Sequence, residues 1–195
     1  TGEELPESMK DAIAWFLCAV ATMRSWNYKK PISMLVHTSQ KQSCHDVVAK
    51  AISNWINNND KENIVSRCRE VYSREISRIW LEQFPEYGVP KEEIKDYLPF
   101  EEICPEIYEL LAEQMRYIKL TDEGDFCYHR SLHLVIDNCS KNGVHNEDEY
   151  IRLAYPDPDM DPYPSPAPAF IIVGGSTLSR GLTIEGLVST FFLRA

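Results

Sequence analysis

A continuous apolar run, Ala169-Phe170-Ile171-Ile172-Val173, ends on Gly174-Gly175. It opens into Ser176-Thr177-Leu178-Ser179-Arg180-Gly181-Leu182-Thr183-Ile184-Glu185-Gly186-Leu187. Two glycines behind an apolar strand let the backbone turn sharply and approach a ligand closely. The hydroxyls that follow, and the rigid donor fork of Arg180, suit phosphate oxygens or a ribose. In α/β folds ligands sit at the carboxyl ends of strands, which is where this loop falls. The same residues also make an ordinary tight turn with Arg180 as a solvated charge, and spacing alone leaves both readings open.

Other residues with chemical capacity are weaker candidates. Cys127, His129, His133 and Cys139 include zinc-ligand types, but a tetrahedral site needs four converging groups. Residues 132–136 read as a strand whose alternate side chains diverge. Cys44 and His45 are adjacent, which suits neither a nucleophile–base pair nor chelation. A nuclease needs clustered carboxylates around metal ions. Asp137 and the acids of 147–161 are available, yet the proline-rich setting of the latter is a poor place to preorganise a metal site.

The elements that must position these groups follow from the pattern. Ile13, Phe16, Leu17, Val20 and Met23 form one apolar stripe of a helix over 6–25. Ile32 to His37 fits a buried strand. Polar Thr38, Ser39, Gln40 and Lys41 follow it, and Val48, Ala51, Ile52 and Trp55 mark a second helix. Residues 61–84 carry a long helical face that Phe84-Pro85 closes. Further helical pieces are expected at about 91–98 and 105–118. Leu132 to Ile136 and Val188 to Leu193 read as strands. Between them lies an acidic, proline-rich loop at 147–168, whose composition suits exposure better than a core. The expected layout is a helical lead-in (1–30), a first βα unit (31–59), a helical insertion (60–125) and the remaining strands (126–195).

Composition sets the limits. The chain has 195 residues and is 44% hydrophobic, enough for one ordinary core. A net charge of -10 argues against a protein that coats nucleic acid non-specifically, without excluding a local phosphate contact. Six cysteines with no CxxC pair suggest reduced thiols and a cytoplasmic location. No stretch reaches the roughly 20 apolar residues of a membrane helix. Thr1 and Ala195 read as cut points in a longer chain.

The order of residues from Phe170 to Arg194 says more than their spacing. Gly174-Gly175, Leu178-Ser179-Arg180-Gly181-Leu182-Thr183, Glu185-Gly186-Leu187 and Phe192-Leu193-Arg194 closely resemble the most distinctive stretch of the Z1 (Z-one) domain family. That family carries an endonuclease label and occurs in large proteins with a superfamily-two helicase-type ATPase. Leu5-Pro6-Glu7-Ser8 and Ser33-Met34-Leu35-Val36-His37 resemble it too, so the likeness spans most of the chain.

The resemblance implies an α/β fold: part of a RecA-like second motor domain with a parallel sheet, interrupted by the helical insertion. It implies that His37, Thr38, Ser39 and Lys41 touch a nucleic-acid backbone, that of DNA in a bacterial DNA-processing or phage-defence protein. It also implies that Gly174, Gly175, Ser179, Arg180, Gly181, Thr183 and Glu185 couple bound nucleotide to that strand. Thr183 stands where helicase relatives carry Asp, which puts a ribose contact by that residue in question. The chain has no GxxxxGK[ST] phosphate loop, and no Asp-Glu pair directly follows one of the expected strands. ATP and magnesium are therefore expected only with a first motor domain elsewhere in the parent protein, and this piece alone is expected to be inactive. A metal-dependent nuclease and a protein-interaction module docking through 60–125 are the rival readings.

Overall fold

The computed structural model describes residues 4–38, 42–120, 126–137, 153–175 and 184–193. Helix α1 (Glu7–Ser25) leads into strand β1 (Ile32–His37), which is followed by helices α2 (Gln42–Asn58), α3 (Lys61–Ile76) and α4 (Phe100–Leu110). Strand β2 (Arg116–Tyr117) comes next, then the short pair β3 (Lys119–Leu120) and β4 (Phe126–Cys127). Strands β5 (Leu132–Asp137), β6 (Ala169–Gly174) and β7 (Leu187–Phe192) complete the chain. The main sheet runs β2-β5-β6-β1-β7, and every pairing in it is parallel. The α/β expectation therefore holds, with four long parallel strands at the centre.

Pattern explains the layers. In β1, β5 and β6 alternate residues face opposite ways. Met34, Val36, Leu134, Ile136, Ile171 and Val173 join one large core with residues of all four helices, Phe16, Ile52, Ile64 and Ile103 among them. The opposite face carries Val135, Phe170 and Ile172, covered by Ile118, Tyr128, Leu153 and Tyr155. Both β5 and β6 are buried throughout, which is why they read as unbroken apolar runs. At the sheet's edge, β7 leaves Leu187, Val188 and Phe192 exposed. Each fully buried side chain of the size of Phe16 or Ile52 contributes about 2 kcal/mol relative to exposure.

A buried arginine ties the layers together. Arg24, in the last turn of α1, donates through Nε and Nη2 to the Ala167 carbonyl at 2.9 and 2.7 Å. Its Nη2 also reaches the Arg130 carbonyl at 3.0 Å, and Nη1 pairs with Glu106 of α4 at 2.9 Å. One side chain thus fixes the entries to β5 and β6 against α1 and α4. Burial lowers its pKa, and the Glu106 carboxylate offsets part of that shift.

The helix bounds differ from expectation. Helix α3 starts on an Asp60 N-cap that accepts from the Glu62 amide at 3.1 Å, but it stops at Ile76 instead of running to 84. Ile79 and Trp80 continue the apolar period but find no core, and both are exposed. Residues 81–87 and 91–93 form 3-10 turns, and no helix covers 91–98. Helix α4 begins at Phe100, five residues before the expected start, with Pro105 inside it. Its stripe Phe100, Ile103, Ile107 and Leu110 packs into the core, which outweighs the missing proline donor. Helices α3 and α4 share the core of α1, and β2 belongs to the main sheet. The described residues 60–120 are thus built into the fold.

Candidate nucleic-acid interface

The carboxyl edge of the sheet is where His37, Thr38, Gly174 and Gly175 meet. His37 ends β1, and its register partners are Gly174 of β6 on one side and Phe192 of β7 on the other. Gly174 is also the register partner of Asp137, the last residue of β5. The Thr38 amide donates to the Gly174 carbonyl at 2.8 Å, and the Leu193 amide donates to the His37 carbonyl at 2.8 Å. Thr38, Asp137, Gly174 and Gly175 are buried there, and His37 is half-buried.

Two features of this edge suit an anionic strand. The chain leaving β1 enters α2, which carries no acidic residue in its first turn. The positive end of the helix dipole is therefore not neutralised from within. The Phe192 ring lies 5.3 Å from that of His37 and is 65% exposed, an open aromatic face at the edge.

Not all candidates come together. The Gly186 carbonyl accepts from the Ser33 amide at 2.8 Å, so the residues just before β7 lie beside the start of β1. Glu185 is exposed there, its amide donating to the Tyr155 hydroxyl at 3.1 Å. The length of β1, about 16 Å, separates it from His37 and Thr38. Ser39, Lys41, Ser179, Arg180, Gly181 and Thr183 lie outside the described residues.

The family model for the Z1 domain matches residues 8–195. The chain belongs to the Z1 domain family. No curated protein and no solved structure matches it.

Within this Z1 domain the alternative sites are closed or thin. His129 and His133 stack at 3.9 Å, but the pair is a packing unit. The His133 Nδ1 bonds the Ala169 carbonyl at 3.0 Å, and its Nε2 accepts the His129 amide at 3.0 Å. That fixes a neutral tautomer. Burial lowers the His133 pKa to about 3 and the His129 pKa to about 4. Cys127 is exposed, and Cys139 lies outside the described residues. Among the described residues no group of three or more His, Cys, Asp or Glu can hold a metal ion. No described helix is long and apolar enough to cross a membrane.

In the sequence Phe192 is one residue of an apolar run, and its place beside His37 emerges from strand pairing. Asp137, named among the available carboxylates, comes to the same edge as the last residue of β5. The proline-rich loop also differs from expectation at its ends. Leu153 and Tyr155 pack on the sheet and Ala167 is buried, whereas 157–162 are exposed.

Proposed function

We propose that this Z1 domain is the RecA-like second half of a helicase-type, nucleic-acid-dependent ATPase, and that it holds a DNA strand along its carboxyl edge. The observation that carries the reading is the direct bond between Thr38 and Gly174. It joins the two segments to which the Z1 resemblance assigns the strand contact and the nucleotide contact. Strand order adds support: β1 lies between β6 and β7, both from the end of the chain, and such a reversal opens a crevice at the carboxyl end.

In this reading the strand's phosphates lie over the loop entering α2, with Thr38, Ser39 and Lys41, and a base stacks on Phe192 beside His37. Gly174 and Gly175 let backbone approach the nucleotide, and Arg180 reaches its phosphates. ATP would supply the free energy of movement and is held jointly with a first motor domain. Magnesium is assigned to that other half as well, since the chain carries no GxxxxGK[ST] phosphate loop. Glu185, at the far end of the sheet, is assigned no part in the same grip.

The test is the ATPase rate of the parent protein with and without DNA, for the wild type, His37→Ala and Arg180→Ala. A DNA-stimulated rate that drops at least about tenfold in Arg180→Ala, with folding intact, supports the motor. No ATPase activity in the wild type, or full activity in both variants, overturns it.

One observation favours an interaction module instead. Ile79, Trp80 and Tyr87 are exposed at 36%, 61% and 78% in the segment between α3 and α4. Loss of a co-purifying subunit on Trp80→Ala with unchanged ATPase would mark that segment as a docking arm.

A further inference from the structure

We infer that a cleft at the opposite, amino end of the sheet docks a lysine or arginine side chain of a protein partner. The cleft has a volume of about 640 Å³ and lies between β4 and the 155–160 loop. Its walls are the rings of Phe126, Tyr128 and Tyr155, and its rim carries Asp157, Asp159 and Glu185.

The aromatic walls are held in place before any ligand arrives. The Tyr128 hydroxyl donates to the Ala154 carbonyl at 3.1 Å, and its ring meets Phe170 edge-on at 6.2 Å. The Tyr155 hydroxyl lies 3.1 Å from Ser33 Oγ and accepts the Glu185 amide at 3.1 Å. Its ring also meets Phe170 edge-on, at 5.3 Å. Phe170 is fully buried, so both tyrosines rest on a fixed floor. Fixed walls lower the ordering cost of binding. Phe126, 6.4 Å from Tyr128, and Met160 stay partly open to solvent at 37% and 36%.

Charge selects the occupant. None of the three rim carboxylates is in an ion pair among the described residues, and the lining includes no lysine, arginine or histidine. A neutral apolar ligand would desolvate carboxylates without pairing them, and a nucleic acid would be repelled. An arginine or lysine satisfies both halves. Its stem lies on the rings and its charged head sits over an aromatic face within reach of a carboxylate. The groove beyond Glu185 contains Lys29 and Lys30, so the sign reverses across that one residue and limits the cationic site to this side. The cleft is separate from the proposed strand-binding edge, so both can be filled at once.

The experiment is a titration of the isotope-labelled 195-residue chain with a blocked Gly-Ser-Arg-Ser-Gly peptide, followed by amide NMR shifts. The same peptide with citrulline for arginine is the control. The expected result is shifts concentrated at 126–128 and 155–160, with the citrulline peptide about tenfold weaker. Phe126→Ala and Asp159→Asn alter exposed side chains and keep the fold, and each weakens binding about threefold. Equal binding of the citrulline peptide overturns the inference. So does wild-type affinity in both variants, shifts confined to other surfaces, or no binding at millimolar peptide.

Discussion

Thr38 donates its backbone amide to the carbonyl of Gly174 across 2.8 Å, at the point where β1 and β6 both end. A backbone bond of this kind holds the ends of the two strands in fixed relation whatever their side chains do. Thr38 cannot shift along the sheet without dragging Gly174 with it.

The exposed ring of Phe192 gives the first prediction. Phe192→Ala should weaken binding of a single-stranded oligonucleotide by about tenfold, because a base loses its stacking face. Lys41→Ala should instead weaken binding for all sequences alike and flatten the salt dependence by about one unit. Fluorescence anisotropy over a salt series separates the two. An unchanged affinity in Phe192→Ala would remove the ring from the interface.

Arg24 predicts a large stability loss with no change in site chemistry. Arg24→Met keeps the apolar stem but leaves the Ala167 and Arg130 carbonyls and the Glu106 carboxylate without their donor. The expected cost is about 3 kcal/mol, read as a drop in the urea midpoint. A loss under about 1 kcal/mol would mean that water replaces the guanidinium.

Gly186 and Gly88 form a matched pair. Both have positive φ, +58° and +82°. A methyl group at 186 would lie 1.9 Å from the Pro31 carbonyl oxygen, while at 88 it meets nothing within 4 Å. Gly88→Ala should cost about 1 kcal/mol from φ alone. Gly186→Ala should cost several times that, since β7 must shift against β1. Equal midpoints for the two variants would contradict this packing.

The stacked histidines make the fold acid-sensitive. Both have pKa values below the ordinary 6.5, His133 at about 3 and His129 at about 4, chiefly through burial. For His133 the charges of His129, Arg24 and Arg116 push the same way, while Glu113 opposes the shift at His129. The unfolded chain therefore takes up protons below pH 6.5 that the folded chain refuses. Stability is full above pH 6.5 and falls as pH drops towards 4. Each histidine adds at most about 1.4 kcal/mol per pH unit to that slope. Urea midpoints at pH 7 and pH 5 should converge in His133→Phe relative to wild type, and parallel shifts would contradict the assignment.

The long strands were legible because burial on both faces demands unbroken apolar runs, as in Phe170 to Val173. Helix ends were harder. Ile79 and Trp80 continue the period of α3, but periodicity says only which residues share a face, not whether that face meets a partner. Pro105 reads as a helix start until the stripe from Phe100 to Leu110 is seen to meet the core. The average composition of the acidic loop masks the docking of Leu153 and Tyr155 at one end. At the site, the neighbourhood of His37 and Gly174 was within reach of the sequence, whereas its contact with Phe192 depends on pairing. The distance to Glu185 follows from topology. A crossover between parallel strands begins at one end of a sheet and finishes at the other. Residues at the start and finish of the 174–186 segment therefore cannot sit together.

The central place of β1 also governs how the chain is born. Both its neighbours, β6 and β7, come from the last part of the sequence. At ordinary synthesis rates of about 5–20 residues per second, β1 waits on the order of ten seconds or more for them. During that interval α1 has emerged without its sheet, and the strand's two edges are open to any neighbour on the same messenger. Production of this domain is thus a race between late partners and early strangers, which slower, cooler expression or a holdase chaperone would tilt towards the native fold.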